Sequence, residues 1–270
     1  MGSKSSKTKR RPPVKTNTVA VRARIPQEIL DEILDYLAAD SDLSSLRSYS
    51  LVSRSWVPSC RRHLFHTIHF NSRKAVLSWG EAFPVPEGSP ARHVRDLYFS
   101  TGDSFYETLS AYTPWFTNVE RVTLLRDGRW IPTFWRLPQS VTSLTIKTDT
   151  SNLVQIRDIM VQLPNLDDLS LSGALVPVDN RSLPRIGTAL GGRFGGRLQL
   201  TNGYADEDTV NMLLEVPTGL RFTEVEVFCR HKRLLSTVSL ADACCNTLVK
   251  LSYTVSSYCR FHPFTWSSGF

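Results

Sequence analysis

One short apolar pattern returns down most of this chain: two apolar residues three positions apart, then a third two positions later. It falls at Phe65-Ile68-Phe70, Val94-Leu97-Phe99, Val119-Val122-Leu124, Val141-Leu144-Ile146 and Leu166-Leu169-Leu171, and more weakly around Leu198-Leu200, Phe222-Val225-Val227 and Leu248-Leu251-Tyr253. The middle positions are 29, 25, 22, 25, 29, 27 and 26 residues apart. A repeat at such a period marks a chain built from supersecondary units, none of which hides its apolar side alone. Stacked neighbours then share one continuous core, and each unit contacts only the next.

The interval around Leu166 is the most informative. Leu153, Val154, Ile156, Ile159, Met160 and Leu163 recur at helical spacing, and Leu163-Pro164-Asn165-Leu166-Asp167-Asp168-Leu169-Ser170-Leu171-Ser172-Gly173 follows at once. This second stretch resembles the strand segment of a leucine-rich repeat. Ser72 to Phe83 is expected to be the equivalent helix between the first two strands, and Leu137-Pro138-Gln139-Ser140-Val141 introduces another strand. The resemblance implies an α/β leucine-rich-repeat-like solenoid over 66–270. An α/β or α+β domain with unrelated short strands stays open as the alternative. Alternation along each strand puts Tyr98, Thr123, Thr145, Ser170, Gln199, Glu226 and Ser252 on the side opposite the core, flanked by Arg95, Asp96, Glu120, Arg121, Asp167, Asp168 and Lys250. These are the candidate substrate face. The closing Thr265-Trp266-Ser267-Ser268-Gly269-Phe270 carries no polar capping pattern, so the array is expected to lack a cap or to be truncated there.

Ahead of the repeats stands a segment of another kind. In Ile25-Pro26-Gln27-Glu28-Ile29-Leu30-Asp31-Glu32-Ile33-Leu34-Asp35-Tyr36-Leu37, proline sits at the start and acids fill the first turn. Ile29, Leu30, Ile33, Leu34 and Leu37 share one helical face. A second segment runs from Asp42 to Tyr49, and Ser50-Leu51-Val52-Ser53-Arg54-Ser55-Trp56 follows. Pro58 is expected to break that run, shorten any helix carrying Trp56, and open a further helix from Ser59 to Leu64. Burying five aliphatic side chains contributes only about 1.5–3 kcal/mol each. So small a unit needs a neighbouring surface.

The ordered set Ile25-Pro26-Gln27-Glu28-Ile29-Leu30, Asp42-Leu43, Leu51-Val52-Ser53-Arg54-Ser55-Trp56 and Leu64-Phe65 resembles an F-box, over residues 23–65. With Arg61-Arg62-His63 it is similar to the F-box-like families of mushroom-forming (basidiomycete) fungi. The resemblance implies a short all-α module followed by the repeat array, and a substrate-recruiting subunit of a cullin-RING (SCF-type) ubiquitin ligase. In that family the F-box docks on a Skp-family adaptor, and through it a cullin, while the repeats hold a protein substrate. Carried over position by position, the adaptor contacts are Ile25, Pro26, Ile29, Leu30, Ile33, Leu34, Leu37, Leu51, Val52 and Trp56, some of which must instead face the module's own core. The alternative is an F-box-like repeat scaffold for protein–protein interaction outside the ubiquitin system.

Charge does not point to a fold that tracks nucleic acid. The net +7 lies in residues 1–24, where Lys4, Lys7, Lys9, Arg10, Arg11, Lys15, Arg22 and Arg24 meet no acid, leaving 24 basic and 25 acidic residues in the rest. Residues 1–22 read as a disordered basic tail that can serve as a nuclear-import address or a polyanion contact. No apolar run is long enough for a membrane span or a secretory signal, so a soluble protein of the cytoplasm, the nucleus or both is expected, with five free cysteines. Asn180-Arg181-Ser182 is then a glycosylation sequon without a use.

No cofactor, metal or catalytic group is expected. His63, His66 and His69 are evenly spaced, but the third falls in a strand. Cys244, Cys245, Cys259 and His262 lack zinc-site spacing. Gly191-Gly192-Arg193-Phe194-Gly195-Gly196 lacks the Lys-Ser/Thr of a phosphate loop. Asp167 and Asp168 are adjacent in a strand and point apart. Trp130, Phe134 and Trp135 among Arg126, Arg129 and Arg136 read as a connecting loop packed by its own aromatics rather than a stacking platform for single strands.

Overall fold

The computed structural model describes residues 25–40, 42–100, 106–126, 136–151, 153–175, 193–202, 207–215, 219–229, 234–255 and 264–267. The tail 1–24, the Trp130–Trp135 cluster with Arg129, the sequon, Gly191 and Gly192, Cys259, His262 and Phe270 lie outside them.

Three helices come first: α1 (Gln27–Ala39), α2 (Leu43–Ser50) and α3 (Val57–Leu64). Pro26 is the N-cap of α1, where its missing N–H leaves no partner wanting. Asp42 caps α2 by accepting from the Ser45 N–H at 3.0 Å. Pro58 opens a helix as expected, with a start two residues earlier than the expected Ser59. It lies within the first turn of α3, and the helix starts ahead of it at Val57. At that position a proline removes only an N–H that has no intrahelical acceptor. Trp56 is the N-cap of α3 and belongs to no helix.

The rest is a single α/β sheet whose strands lie in chain order. Its strands are β1 (Thr67–Phe70), β2 (Asp96–Ser100), β3 (Arg121–Arg126), β4 (Ser143–Ser151), β5 (Asp168–Leu175), β6 (Arg197–Asn202), β7 (Glu224–Cys229), β8 (Lys250–Val255) and β9 (Phe264–Ser267). The first eight pair parallel. Parallel neighbours need a crossover of about a dozen residues or more. Helices α4 (Arg73–Ala82), α5 (Tyr106–Ser110), α6 (Leu153–Val161), α7 (Glu207–Leu214) and α8 (Leu234–Ala243) lie in these connections. The helix expected over 72–83 is α4, capped by the Ser72 hydroxyl on the Ala75 N–H. The final strand was not foreseen. Residues 256–263 are too few for a crossover, and β9 returns antiparallel to β8.

Register makes the repeat a physical object. Ile68, Leu97, Val122, Leu144, Leu169, Leu198, Val225 and Leu251 are successive ladder partners, the same residues that set the sequence period. Two residues on, Phe70, Phe99, Leu124, Ile146, Leu171, Leu200, Val227 and Tyr253 form a second row. From Phe70 through Val227 the members of both rows are at most 3% exposed and belong to one apolar cluster with Val76, Trp79, Phe116, Ile156, Met160 and Phe222, while Ile68 at one end and Leu251 and Tyr253 at the other are half-buried against it. A separate, smaller cluster of Leu30, Leu34, Leu46 and Cys60 holds the three N-terminal helices together.

Truncation is expected to separate the two sides of one strand. Leu144→Ala opens a cavity and lowers unfolding free energy by about 2–5 kcal/mol, whereas Thr145→Ala, on the opposite face, changes it by no more than about 0.5 kcal/mol. Urea denaturation of the two variants checks this.

Candidate functional site

Helix α1 presents three different faces. Leu30 and Leu34, 3% and 0% exposed, point into the small core with Leu46 and Cys60, and Leu37 packs half-buried against it. Gln27, Asp31 and Asp35 form a polar edge tied to α3. The Ser59 hydroxyl donates to Asp31 Oδ1 at 2.7 Å, Gln27 Nε2 donates to both, and Asp35 Oδ1 takes Arg62 at 3.0 Å and His63 at 2.9 Å. The third face is apolar and open. Ile29, Ile33 and Tyr36 follow one another at intervals of four and three residues, Ile25 stands just ahead of the helix, and all four are exposed, from 44% for Ile33 to 70% for Tyr36.

The segment after α2 adds more open apolar surface. Leu51 is 87% and Val52 65% exposed, in a turn closed by Leu51 N–H to Ser48 O at 3.1 Å and Val52 N–H to Tyr49 O at 3.0 Å. The Tyr49 and Trp56 rings, 5.6 Å apart, fasten both ends of this turn, and both residues pack on the small core. The ten residues singled out in the sequence therefore divide. Ile25, Pro26, Ile29, Ile33, Leu51 and Val52 are on the surface; Leu30 and Leu34 are core; Leu37 and Trp56 are half-buried supports. Sequence reading missed Tyr36 and Leu43, which are also exposed. Tyr36 sits seven residues beyond Ile29, a spacing that marks it as part of the same stripe.

Exposed large apolar residues scattered singly are ordinary, but aligned ones mark an interaction surface. Three lie along α1, with Ile25 just ahead of it, in a module whose core has four buried members.

The sheet's polar side forms a second candidate surface. Tyr98, Thr123, Thr145, Ser170, Gln199, Glu226 and Ser252 are consecutive ladder partners, preceded by His69 on β1. His69 stacks on Tyr98 with centroids 4.4 Å apart, and Ser170 donates to Gln199 Oε1 at 2.9 Å. The flanking charges meet one another. Arg121 holds Asp96 through two bonds of 2.6 and 2.8 Å, Arg197 holds Glu226 at 2.6 Å, and Arg95 holds Glu120 at 2.7 Å. Lys250 Nζ lies 3.8 Å from Glu226 and 3.9 Å from Glu224. Asp168 accepts from the Arg197 backbone N–H at 2.6 Å, and a Cβ at Gly196 would collide with that carboxylate. The glycine there makes room for a strand contact, not for a phosphate.

The histidines go to separate partners: His63 to Asp35, His66 toward Asp96 at 3.6 Å, and His69 to Tyr98. Burial, then the neighbouring Arg62 charge, pushes the His63 imidazole below its usual range despite Asp35. Cys60 and Cys244 are free and buried, and burial pushes both thiols up; Cys245 is free and exposed. Among the described residues no group of three His, Cys, Asp or Glu is arranged to hold a metal, and no helix is long and apolar enough to cross a membrane. No family model, curated protein or solved structure matches the chain.

The cap of α2 carries a pH signature. The Ser45 hydrogen bonds, with help from Ser44, bring the Asp42 carboxyl down to about 2 from 3.8. Its stabilising effect is complete above pH 3.8 and is lost as pH falls through 2. Asp42→Asn keeps an acceptor without the titration. Thermal melts between pH 4 and 2 are expected to fall less steeply for this variant than for the wild type.

Proposed function

We propose that the chain is a substrate-recruiting subunit of an SCF-type cullin-RING ubiquitin ligase. Its N-terminal helices act as an F-box that docks on a Skp-family adaptor, and through it a cullin. Its sheet is a leucine-rich-repeat-like solenoid whose polar face, from Tyr98 to Ser252, receives a protein substrate. The single observation behind this reading is the open apolar stripe of Ile25, Ile29 and Ile33 with Leu51 and Val52. These residues are among those through which the F-box resemblance implies adaptor contact, and they are the ones left unused by the module's own packing.

No chemistry is asked of the chain. An amphipathic helix sets its apolar stripe into a groove of the adaptor, with Ile29 and Ile33 as aliphatic anchors one turn apart and Ile25 ahead of them. The helical module and the substrate face then act as two binding units on one chain. Holding both partners at once raises the effective concentration of a substrate lysine near the ligase. The strands in chain order suit this role, because a parallel array presents equivalent side chains in rows across its width.

Co-expression with a Skp-family adaptor followed by size-exclusion chromatography tests the proposal. The wild type is expected to co-elute with the adaptor. Pro26→Ala with Ile29→Asp, and separately Leu51→Asp, are expected to elute alone at unchanged melting temperature, since each alters only exposed side chains. Leu34→Asp is expected to unfold the helical module instead, through a buried unpaired charge. A folded wild-type chain that ignores the adaptor would overturn the proposal and leave a repeat scaffold outside the ubiquitin system.

A further inference from the structure

The turn that displays Leu51 and Val52 begins at a serine with unusual surroundings. Ser50 is the last residue of α2, and its hydroxyl donates to the Arg47 carbonyl at 2.6 Å, satisfying one of the helix's orphan acceptors. Arg47 is exposed and stands three residues before Ser50, and Leu51 follows at 87% exposure. A guanidinium at that distance gives the acidic groove of an Arg-directed kinase its handle. Ser48, Ser53 and Ser55 have no base three residues before them. Ser53 and Ser55 also hold each other, with hydroxyls 2.9 Å apart.

We infer that Ser50 is a phosphorylation site that switches off docking through the Leu51–Val52 turn, an inference that rests on the adaptor-binding reading above. In the transfer, Ser50 Oγ bonds to the γ-phosphorus of ATP and the bond from that phosphorus to the β,γ-bridging oxygen breaks. ADP leaves, and the hydroxyl proton passes to the kinase's base. Three effects then act in one direction. The donor to the Arg47 carbonyl is lost. A group of nearly two negative charges arrives at the negative end of the α2 dipole, where it loosens the last turn. The same charge stands beside the two most exposed aliphatic residues of this turn and must shed its water if they are to enter an apolar groove. Ser50 belongs neither to the small core nor to the side chains packed on it, so the module stays folded.

The test treats the full chain with an Arg-directed serine kinase and ATP, maps the phosphate by mass spectrometry, and titrates the product against the adaptor beside untreated protein. A phosphate at Ser50, absent from Ser50→Ala, is expected, with adaptor affinity reduced at least tenfold and a cooperative unfolding transition retained. Unmodified Ser50→Ala is expected to bind as the wild type does. No phosphate at Ser50, or a phosphorylated chain that binds with unchanged affinity, would overturn the switch. Failure of the untreated chain to bind would instead overturn the adaptor reading, and the switch with it.

Discussion

The parallel backbone ladder is the constraint on which the rest of the sheet depends. It fixes which residues, twenty-odd positions apart in the chain, lie side by side. Once Leu97 is opposite Val122 and Val122 opposite Leu144, every second side chain is committed to the core and the others to the polar face. A slip of one residue would exchange the two faces along a whole strand. The apolar rows oppose that exchange. Members such as Leu144, Ile146, Leu171 and Leu198 are completely buried, and the side chains between them are threonines, serines and charges that the core cannot accept.

Much of this was legible in the chain. The centres of all eight parallel strands were marked by a recurring apolar triplet, while their parallel pairing is seen in the ladder itself. The polar row from Tyr98 to Ser252 followed from alternation alone, since period two is a property of any strand. The expected segments also began at the residues that the structure shows as caps, Ser72 ahead of α4 and Asp42 ahead of α2. The antiparallel β9 did not, because it depends on how few residues separate two segments rather than on their pattern. Nor did the ion pairs. Arg121 with Asp96 and Arg197 with Glu226 join residues 25 and 29 positions apart, and only register reveals them as neighbours.

The helical module illustrates a subtler limit. Ile29 and Leu30, or Ile33 and Leu34, are adjacent aliphatic residues on one broad apolar arc of α1, and periodicity treats them alike. What separates them is where α2 and α3 lie, and that is decided by contacts from far along the chain: Leu46 and Cys60 in the core, and Ser59, Arg62 and His63 on the polar edge. With one side filled and another bound by hydrogen bonds, the stripe of Ile25, Ile29, Ile33 and Tyr36 has no partner among the described residues. A similar division operates after α2, where Trp56 turns inward and Leu51 and Val52 remain outside.

Two surfaces of different chemistry thus stand on one chain, an apolar one on small helices and a polar, internally charge-matched one on a sheet. Hydrogen–deuterium exchange of the full chain, with and without a Skp-family adaptor, separates their roles most directly. Added protection at residues 25–37 and 50–56, with the strands from β2 to β8 unchanged, is the expected result. Protection confined to the strands, or none at all with the adaptor in excess, would contradict the assignment of the helical stripe as the docking surface.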